Sequence, residues 1–213
     1  MIQSQEHFSI QMHRCRSDIL ELIPADQAQL VEWLAVPHQS AYAIRKLKQL
    51  GSRAVPSLRH GLQHPEHLVR VGCCIVLDHV YDDSCLPGLI ENLNHPHPDV
   101  RTWALHALAC DRCKKGVCRP AENLILDPAI RLLLYDPERK VRQMAAGMLG
   151  PSVHRSTGVL QALQQAHRSD SHPAVRKVGS WWIPGGTCFV ISIYILYSFF
   201  KSELVHSPDT TID

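Results

Sequence analysis

Apolar residues recur along the chain at the spacing of an α-helix. They share one helical face in two places: Val100, Trp103, Ala104 and Leu108, and then Val141, Met144, Ala145 and Leu149. Residues three, four and eight positions apart lie on one side of a helix. No long stretch alternates between apolar and polar residues with a period of two, so the pattern predicts helices and no strands.

A short motif returns four times, and it consists of a turn containing Pro or Asp followed by a Val-Arg pair. The pairs begin at positions 69, 100, 141 and 175, so the spacings are 31, 41 and 34 residues. Pro is tolerated in the first turn of a helix and disrupts later turns, so a helix should follow each motif. The predicted helices are Leu68–Tyr81, Asp99–Ala109, Arg139–Leu149 and Ala174–Trp182.

A second, shorter amphipathic segment precedes each turn. These segments are Ala54–Leu58, Cys85–Leu89, Ala129–Leu134 and Val159–His167. A repeat of two helices cannot bury its own apolar face and must stack on its neighbours. The sequence therefore predicts an all-α fold, a short right-handed α-solenoid of helical hairpins spanning residues 41–182.

The Pro-x-Leu first helix, the Asp/His-Pro turn and the Val-Arg start of the second helix resemble HEAT-type repeats. They are most similar to the short type that also occurs in phycobilisome lyases. The resemblance covers about Ala41 to Trp182 and implies a solenoid that serves as a scaffold, a chaperone-like subunit, a chromophore lyase or a DNA-repair enzyme. No residue here corresponds to a lyase's bilin site.

The segments on either side of the repeats are less regular. Residues 1–40 are predicted to form a helical cap, with a helix over Ser17–Leu34. Residues 183–213 begin with an apolar stretch in which Pro184-Gly185-Gly186 leaves only residues 187–200 uninterrupted, fewer than the roughly 20 of a membrane helix. Residues 183–200 could anchor the chain in a membrane or pack on the last repeat or a partner. Alternatively they are an aberrant end, since related HEAT proteins continue in polar residues.

The longest spacing of the repeat contains an insertion with the pattern C-x2-C-x4-C, formed by Cys110, Cys113 and Cys118 within residues 110–120. It resembles a Cys-rich loop of some bacterial HEAT-repeat proteins of unassigned role. Zinc in structural sites takes four ligands. His106 lies one helical turn before Cys110, and His79 lies 31 residues before it, so either could complete a structural zinc site. The alternatives are an iron–sulfur cluster, a Cys110–Cys113 dithiol, or no special chemistry.

Composition narrows the function. The chain has 213 residues, with 14 His and 8 Cys and a net charge of +2, which speaks against a basic nucleic-acid coat. The polar start lacks a secretory pattern, so we expect a cytoplasmic protein with reduced thiols. The resemblance of its Cys-rich loop to that of bacterial HEAT-repeat proteins implies a bacterial protein.

Two groups of basic residues are candidate binding residues. Arg70, Arg101, Arg142 and Arg176 recur with the repeat, and Arg112, Lys114, Lys115 and Arg119 lie in the Cys-rich insertion. The recurring arginines could pair with acidic turn residues or form a row that binds anions. Four histidines also recur in or next to the turns, and they could cap helices, bind metal or respond to pH: His64, His95, His97 and His172.

No phosphate-binding loop, nucleophile elbow or kinase-like motif is present in the sequence, which favours a non-enzymatic protein-binding or scaffold module with no cofactor other than the possible zinc. The alternative is a lyase-like or DNA-repair-type HEAT enzyme or accessory subunit. A lyase would need a bilin-sized cleft with a Cys or His at its wall. A repair enzyme would need a basic face with an aromatic pocket, for which Trp103 is the candidate.

Overall fold

The computed structural model describes residues 26–109 and 122–192, and every regular element in these two stretches is helical. The chain forms two compact units, residues 1–120 and residues 121–213. The boundary between the units falls at the end of the predicted Cys-rich insertion. This part of the chain is therefore all-α, as its apolar pattern predicts.

Unit 1 contains three helical hairpins within its described residues. Their helices are α1 (Gln27–Glu32), α2 (Pro37–Leu50), α3 (Val55–Gly61), α4 (His67–Leu77), α5 (Leu86–Asn92) and α6 (Pro98–Ala109). Short 3-10 turns at Trp33–Ala35, Gly51–Ala54 and Asp83–Cys85 lead into α2, α3 and α5. Pro37, Pro56 and Pro87 lie in the first turn of a helix, where a missing N–H costs no hydrogen bond.

The hairpins of unit 1 stack helix on helix. The second helix of each hairpin packs against the next, so that α4 lies between α2 and α6, while α1 contacts α3. Leucines at the centre of these contacts, among them Leu47, Leu62 and Leu105, are fully buried. The predicted stacking of two-helix repeats is thus confirmed in this unit.

Unit 2 has the same construction in its described residues. Its hairpins are α7 (Glu122–Tyr135) with α8 (Arg139–Leu149) and α9 (Thr157–Ser169) with α10 (Pro173–Trp181). Helix α8 packs on α10, and α7 packs on α9. Leu133, Leu149 and Leu163 fill the space between them with at most 1% of their surface exposed. The stacked hairpins confirm the predicted fold class here as well.

Two predicted helices differ from the structure at their ends. The helix expected over Ser17–Leu34 does not continue through Asp26, which is extended and caps α1 by accepting the Gln29 N–H at 2.7 Å, while residues 17–25 of that prediction lie outside the described residues. The helix expected over Leu68–Tyr81 ends at Leu77, and the extended residue Asp82 caps the 3-10 turn Asp83–Cys85 by accepting the Ser84 N–H. A short side chain that accepts a backbone N–H favours caps and turns over the interior of a helix.

Gly150, directly after α8, allows a close contact in unit 2. A Cβ atom at this position would overlap the indole ring of Trp182, whereas nothing lies within 4 Å of a Cβ at Gly147, which is inside α8. Both glycines have ordinary negative φ angles, so the difference between them is one of space alone.

We therefore predict opposite effects for two alanine substitutions. Gly150→Ala should lower the free energy of unfolding by about 1–3 kcal/mol, because the methyl group displaces the indole. Gly147→Ala should raise it by about 0.5–1 kcal/mol, because alanine favours the helix. Urea unfolding followed by circular dichroism measures both, and equal effects of the two variants would contradict the close Gly150–Trp182 contact.

Candidate functional site

In the four hairpins after the first, the turn begins with a side chain that accepts a backbone N–H two residues further on. We call these four positions the turn-start residues. They are His64 (to Glu66 N, 3.0 Å), His95 (to His97 N, 3.0 Å), Asp136 (to Glu138 N, 2.9 Å) and Asp170 (to His172 N, 2.8 Å). The two histidines accept through Nδ1, so this nitrogen carries no proton.

A second acceptor follows two residues later in three of these turns. Glu66, His97 and His172 accept the N–H groups of Leu68, Asp99 and Ala174, respectively. A side chain that accepts from the first N–H groups of a helix satisfies donors that have no partner within the helix. The recurring histidines therefore act as caps in this structure.

The arginine of each Val-Arg pair closes its own turn by donating to the carbonyl oxygen of the turn-start residue. The four contacts are Arg70 Nε to His64 O (2.6 Å), Arg101 Nη1 to His95 O (2.8 Å), Arg142 Nη1 to Asp136 O (2.9 Å) and Arg176 Nη1 to Asp170 O (2.7 Å). The planar guanidinium group suits this task because its donors are fixed in direction.

Two of these arginines also join one hairpin to the next. Arg70 Nη1 donates to Asn92 Oδ1 at 2.7 Å, and Asn92 Nδ2 donates to the carbonyl of Leu62 at 2.9 Å. In unit 2, Arg142 donates to both carboxylate oxygens of Asp170, at 2.7 and 3.1 Å. These contacts tie each turn to its neighbour.

Asp170 is held in its charged form by this arrangement. Burial alone would raise its pKa, but hydrogen bonds from Arg142 and from the His172 N–H outweigh burial, so that the pKa of Asp170 lies below its usual range. The contribution of this carboxylate to stability is therefore present above about pH 4 and is lost as the pH falls through the lowered pKa.

The recurring arginines were one candidate binding row, and the structure shows what their side chains do. Arg101 and Arg142 are buried, with 7% and 9% of their surface exposed, and all four guanidinium groups donate to the turns. The role that this geometry supports is structural. Anion binding by Arg70, Arg101, Arg142 and Arg176 stays a prediction.

The Cys-rich insertion lies outside the described residues, and with it Cys110, Cys113 and Cys118 and the basic residues Arg112, Lys114, Lys115 and Arg119. The two histidines that were expected to reach it are described. In residues 26–109 and 122–192 no three His, Cys, Asp or Glu side chains are placed to hold a metal ion. A closed zinc site would therefore need ligands from the insertion itself.

Both candidate histidines lie near one buried carboxylate, Asp78. Its Oδ2 is 3.2 Å from Nδ1 of His106 and 3.9 Å from Nε2 of His79, and its side chain is 3% exposed. Nδ1 of His106 is buried and has no partner with hydrogen-bond geometry. The 3.2 Å contact with Asp78 Oδ2 is therefore polar but is not a hydrogen bond. Sequence reasoning missed Asp78, although a carboxylate after the apolar run Ile75-Val76-Leu77 could have indicated a buried acid.

The cysteines of α4 belong to the core. Cys73 and Cys74 are fully buried. Burial raises the pKa of Cys74 to about 12 and that of Cys73 well above its usual range. Thiols in this state are poor nucleophiles and poor metal ligands, because the reactive form is the thiolate.

Unit 2 contains an open cleft of about 310 Å³ between the turn of its first hairpin and the turn of its second. The wall is mainly polar and includes Asp136, Gln165, Ser169 and Ser171. Tyr135 stands at the cleft with 73% of its surface exposed. Exposed aromatic rings beside polar groups are typical of protein-binding surfaces.

The first part of the apolar tail packs on unit 2. Residues 187–192 are helical, the ring of Phe189 lies 4.3 Å from that of His154, and His154 Nε2 is 2.7 Å from Ser192 Oγ. The role of residues 183–200 as a whole stays a prediction, because residues 193–213 lie outside the described part of the chain. No helix in residues 26–109 and 122–192 has the length and hydropathy needed to cross a bilayer.

The contacts of Arg142 predict a large effect of its removal. Arg142→Gln should lower the free energy of unfolding by about 3–5 kcal/mol, because Asp170 is left buried and unpaired. Arg176→Gln is the matched control. It loses hydrogen bonds to the carbonyls of Asp170 and Ser171, and should cost about 1 kcal/mol.

Urea unfolding at pH 7 measures both variants. Equal losses in the two would show that the Arg142–Asp170 pair contributes nothing beyond the contacts to the turn carbonyls.

Comparison with known proteins gives one family match. Residues 28–109 match the family model described as HEAT repeats, and this supports a HEAT-repeat protein. Comparison with curated proteins gives no match.

Two solved structures are similar to the chain over most of its length. One is a designed armadillo repeat protein in complex with a (KR)4 peptide, at 18% identity and a TM-score of 0.47, covering 74% of this chain and 80% of that one. The other is an engineered protein at 21% identity and a TM-score of 0.46, covering 88% of this chain and 93% of that one.

Proposed function

We propose that the chain is a non-enzymatic protein-binding scaffold of the cytoplasm. Three observations support this function. The HEAT-repeat match and the stacked hairpins are typical of proteins that present helices to a partner. The recurring arginines and histidines form hydrogen bonds within the turns, so their recurrence has a structural explanation. The buried thiols of α4 are kept protonated and unreactive.

The observation that carries the proposal is the exposed ring of Tyr135 beside the cleft of unit 2. An aromatic ring that is 73% exposed offers a partner a large apolar contact. The Gln165 amide and the hydroxyl groups of Ser169 and Ser171 in the wall offer hydrogen bonds to a polar chain. A polypeptide segment with one apolar or cationic side chain over Tyr135 fits this combination.

The alternative enzyme functions receive less support. A lyase would need a Cys or His at the wall of a bilin-sized cleft, and the residues that line the cleft of unit 2 include neither. A repair enzyme would need a basic face, whereas the guanidinium groups of the recurring arginines are engaged by carbonyl oxygens. Trp103, the aromatic candidate, packs its ring 5.3 Å from that of His106.

The binding proposal predicts that Tyr135→Ala weakens a specific interaction. Removal of a central aromatic contact typically costs about 2 kcal/mol or more, so a partner retained by the wild-type chain should bind roughly thirtyfold more weakly. Leu124→Ala is the matched control, since Leu124 is also exposed, at 43%, but does not line the cleft.

The measurement is quantitative affinity purification of tagged full-length variants, followed by titration of the purified partner. A partner held equally by Tyr135→Ala and wild type would contradict the proposed contact surface. Binding to DNA with a steep salt dependence would instead favour the nucleic-acid alternative.

We also infer a structural zinc site that uses Cys110, Cys113 and Cys118 with His106 or His79. The support from the described residues is the contact between Asp78 and Nδ1 of His106. Metal-binding histidines commonly direct their second nitrogen at a carboxylate, and this leaves Nε2 of His106 for the metal. Zinc in such a site would stabilise an insertion too short to form a core of its own.

The zinc proposal predicts about one zinc per chain in the purified protein, measured by elemental analysis. Cys113→Ser and His106→Ala should each reduce this content, while Cys74→Ser, in the core of α4, should leave it unchanged. A wild-type protein purified with added zinc that retains none would contradict the site and leave the protein-binding proposal untouched.

A further inference from the structure

The turn-start residues divide by unit. In unit 1 they are His64 and His95, and in unit 2 they are Asp136 and Asp170. Each of the four accepts the N–H at the equivalent position of its own turn. Histidine differs from aspartate in being the side-chain type that ordinarily gains a proton between pH 8 and pH 5. A histidine that gains a proton at Nδ1 can no longer accept the hydrogen bond.

Two further histidines meet across the hairpins of unit 1. The rings of His67 at the start of α4 and His97 before α6 are stacked, with centroids 3.9 Å apart and planes 24° apart. Neutral imidazoles stack favourably, whereas two imidazolium ions at this distance repel each other. Because the two rings belong to successive hairpins, this repulsion would act between repeats.

The carboxylates near these histidines can compensate only part of the positive charge that protonated imidazoles would carry. Glu66 lies 2.9 Å from His67, Asp99 lies 4.0 Å from His97, and Glu32 of α1 lies 3.4 Å from Nε2 of His64. Each of these acids is at least 47% exposed, so its attraction is weakened by solvent.

His95 lies among groups that are cationic when charged. Burial lowers its pKa, and Arg70, His97 and His67 lower it further. Arg101 also approaches this turn, where its Nη1 donates to the carbonyl oxygens of His95 and Pro96 at 2.8 Å. A second proton in this region therefore meets positive charge from both α4 and α6.

We propose that the hairpin junction of unit 1 formed by His95 and the stacked pair His67–His97 is an acid-sensitive switch, which loosens at mildly acidic pH while the hairpin junction of unit 2 stays closed. In unit 2 the turn-start acceptors are carboxylates, and the lowered pKa of Asp170 keeps this side chain able to accept the His172 N–H at mildly acidic pH. The same turn design thus differs in its response to mild acid between the two units.

The direction of the pH effect follows from the state of His95. A histidine whose pKa is lowered on folding contributes stability that is fully present above about pH 6.5. This contribution is lost as the pH falls from that value through the lowered pKa. The junction of unit 1 is therefore closed at pH 7.5 and weakened at pH 5.5.

Hydrogen–deuterium exchange of the full-length protein tests the switch. Exchange rates are measured at pH 7.5 and 5.5, and the intrinsic rate at each pH is divided by the observed rate to give a protection factor, so that the chemistry of exchange cancels. Protection in residues 64–101 should fall about fivefold or more at pH 5.5, as expected for the loss of one hydrogen bond or more. Residues 136–170, which end before the cap that His172 provides to Ala174, should change less than twofold.

Three variants assign the effect. His95→Asn keeps an acceptor oxygen without a titrating group, and His67→Phe keeps a ring for stacking, so each should remove most of the acid response of unit 1. His172→Asn, in unit 2, should leave that response unchanged.

Equal losses in both units, or a full acid response in His95→Asn, would overturn the proposal. If His95→Asn is not folded at pH 7.5 by circular dichroism, His67→Phe and the contrast between the wild-type units decide the outcome.

Discussion

The structure depends on the hydrogen bonds by which an arginine holds the carbonyl oxygen of its own repeat turn. A sharp turn between two helices leaves carbonyl groups without helical partners, and these groups are costly to bury. The guanidinium group satisfies them from the next helix, six residues later in each of the four repeats. The apolar faces of the hairpins can then pack closely because the polar requirements of the turn are met at its edge.

The sequence predicted this fold well because its strongest signals are local. A Pro-containing turn sets where a helix starts. In each Val-Arg pair the valine is buried in the core, and the arginine side chain donates hydrogen bonds to the preceding turn. Helix α8 was predicted at Arg139–Leu149 and has these bounds. The errors occurred at Asp26, which is extended and caps the start of α1, and at residues 78–81, which lie beyond the end of α4. Apolar spacing does not reveal either boundary.

The candidate site was harder to predict because it depends on contacts between repeats. The stacking of His67 on His97 joins residues 30 positions apart, and the pairing of Arg142 with Asp170 joins residues 28 apart. Asp78 was missed for a related reason. A lone acid after an apolar run has no partner in the sequence, and only the packing of α4 against α6 brings His106 to it.

The bond from each arginine to its own turn bears on how such a chain can lengthen. Since the turn carbonyl and its donor lie within seven consecutive residues, extra sequence placed between two repeats leaves this bond intact in both. The segment at residues 110–120 occupies such a place, after α6 and before α7. A protein built in this way can gain a functional segment in the loop between two hairpins while the neighbouring hairpins keep their internal geometry.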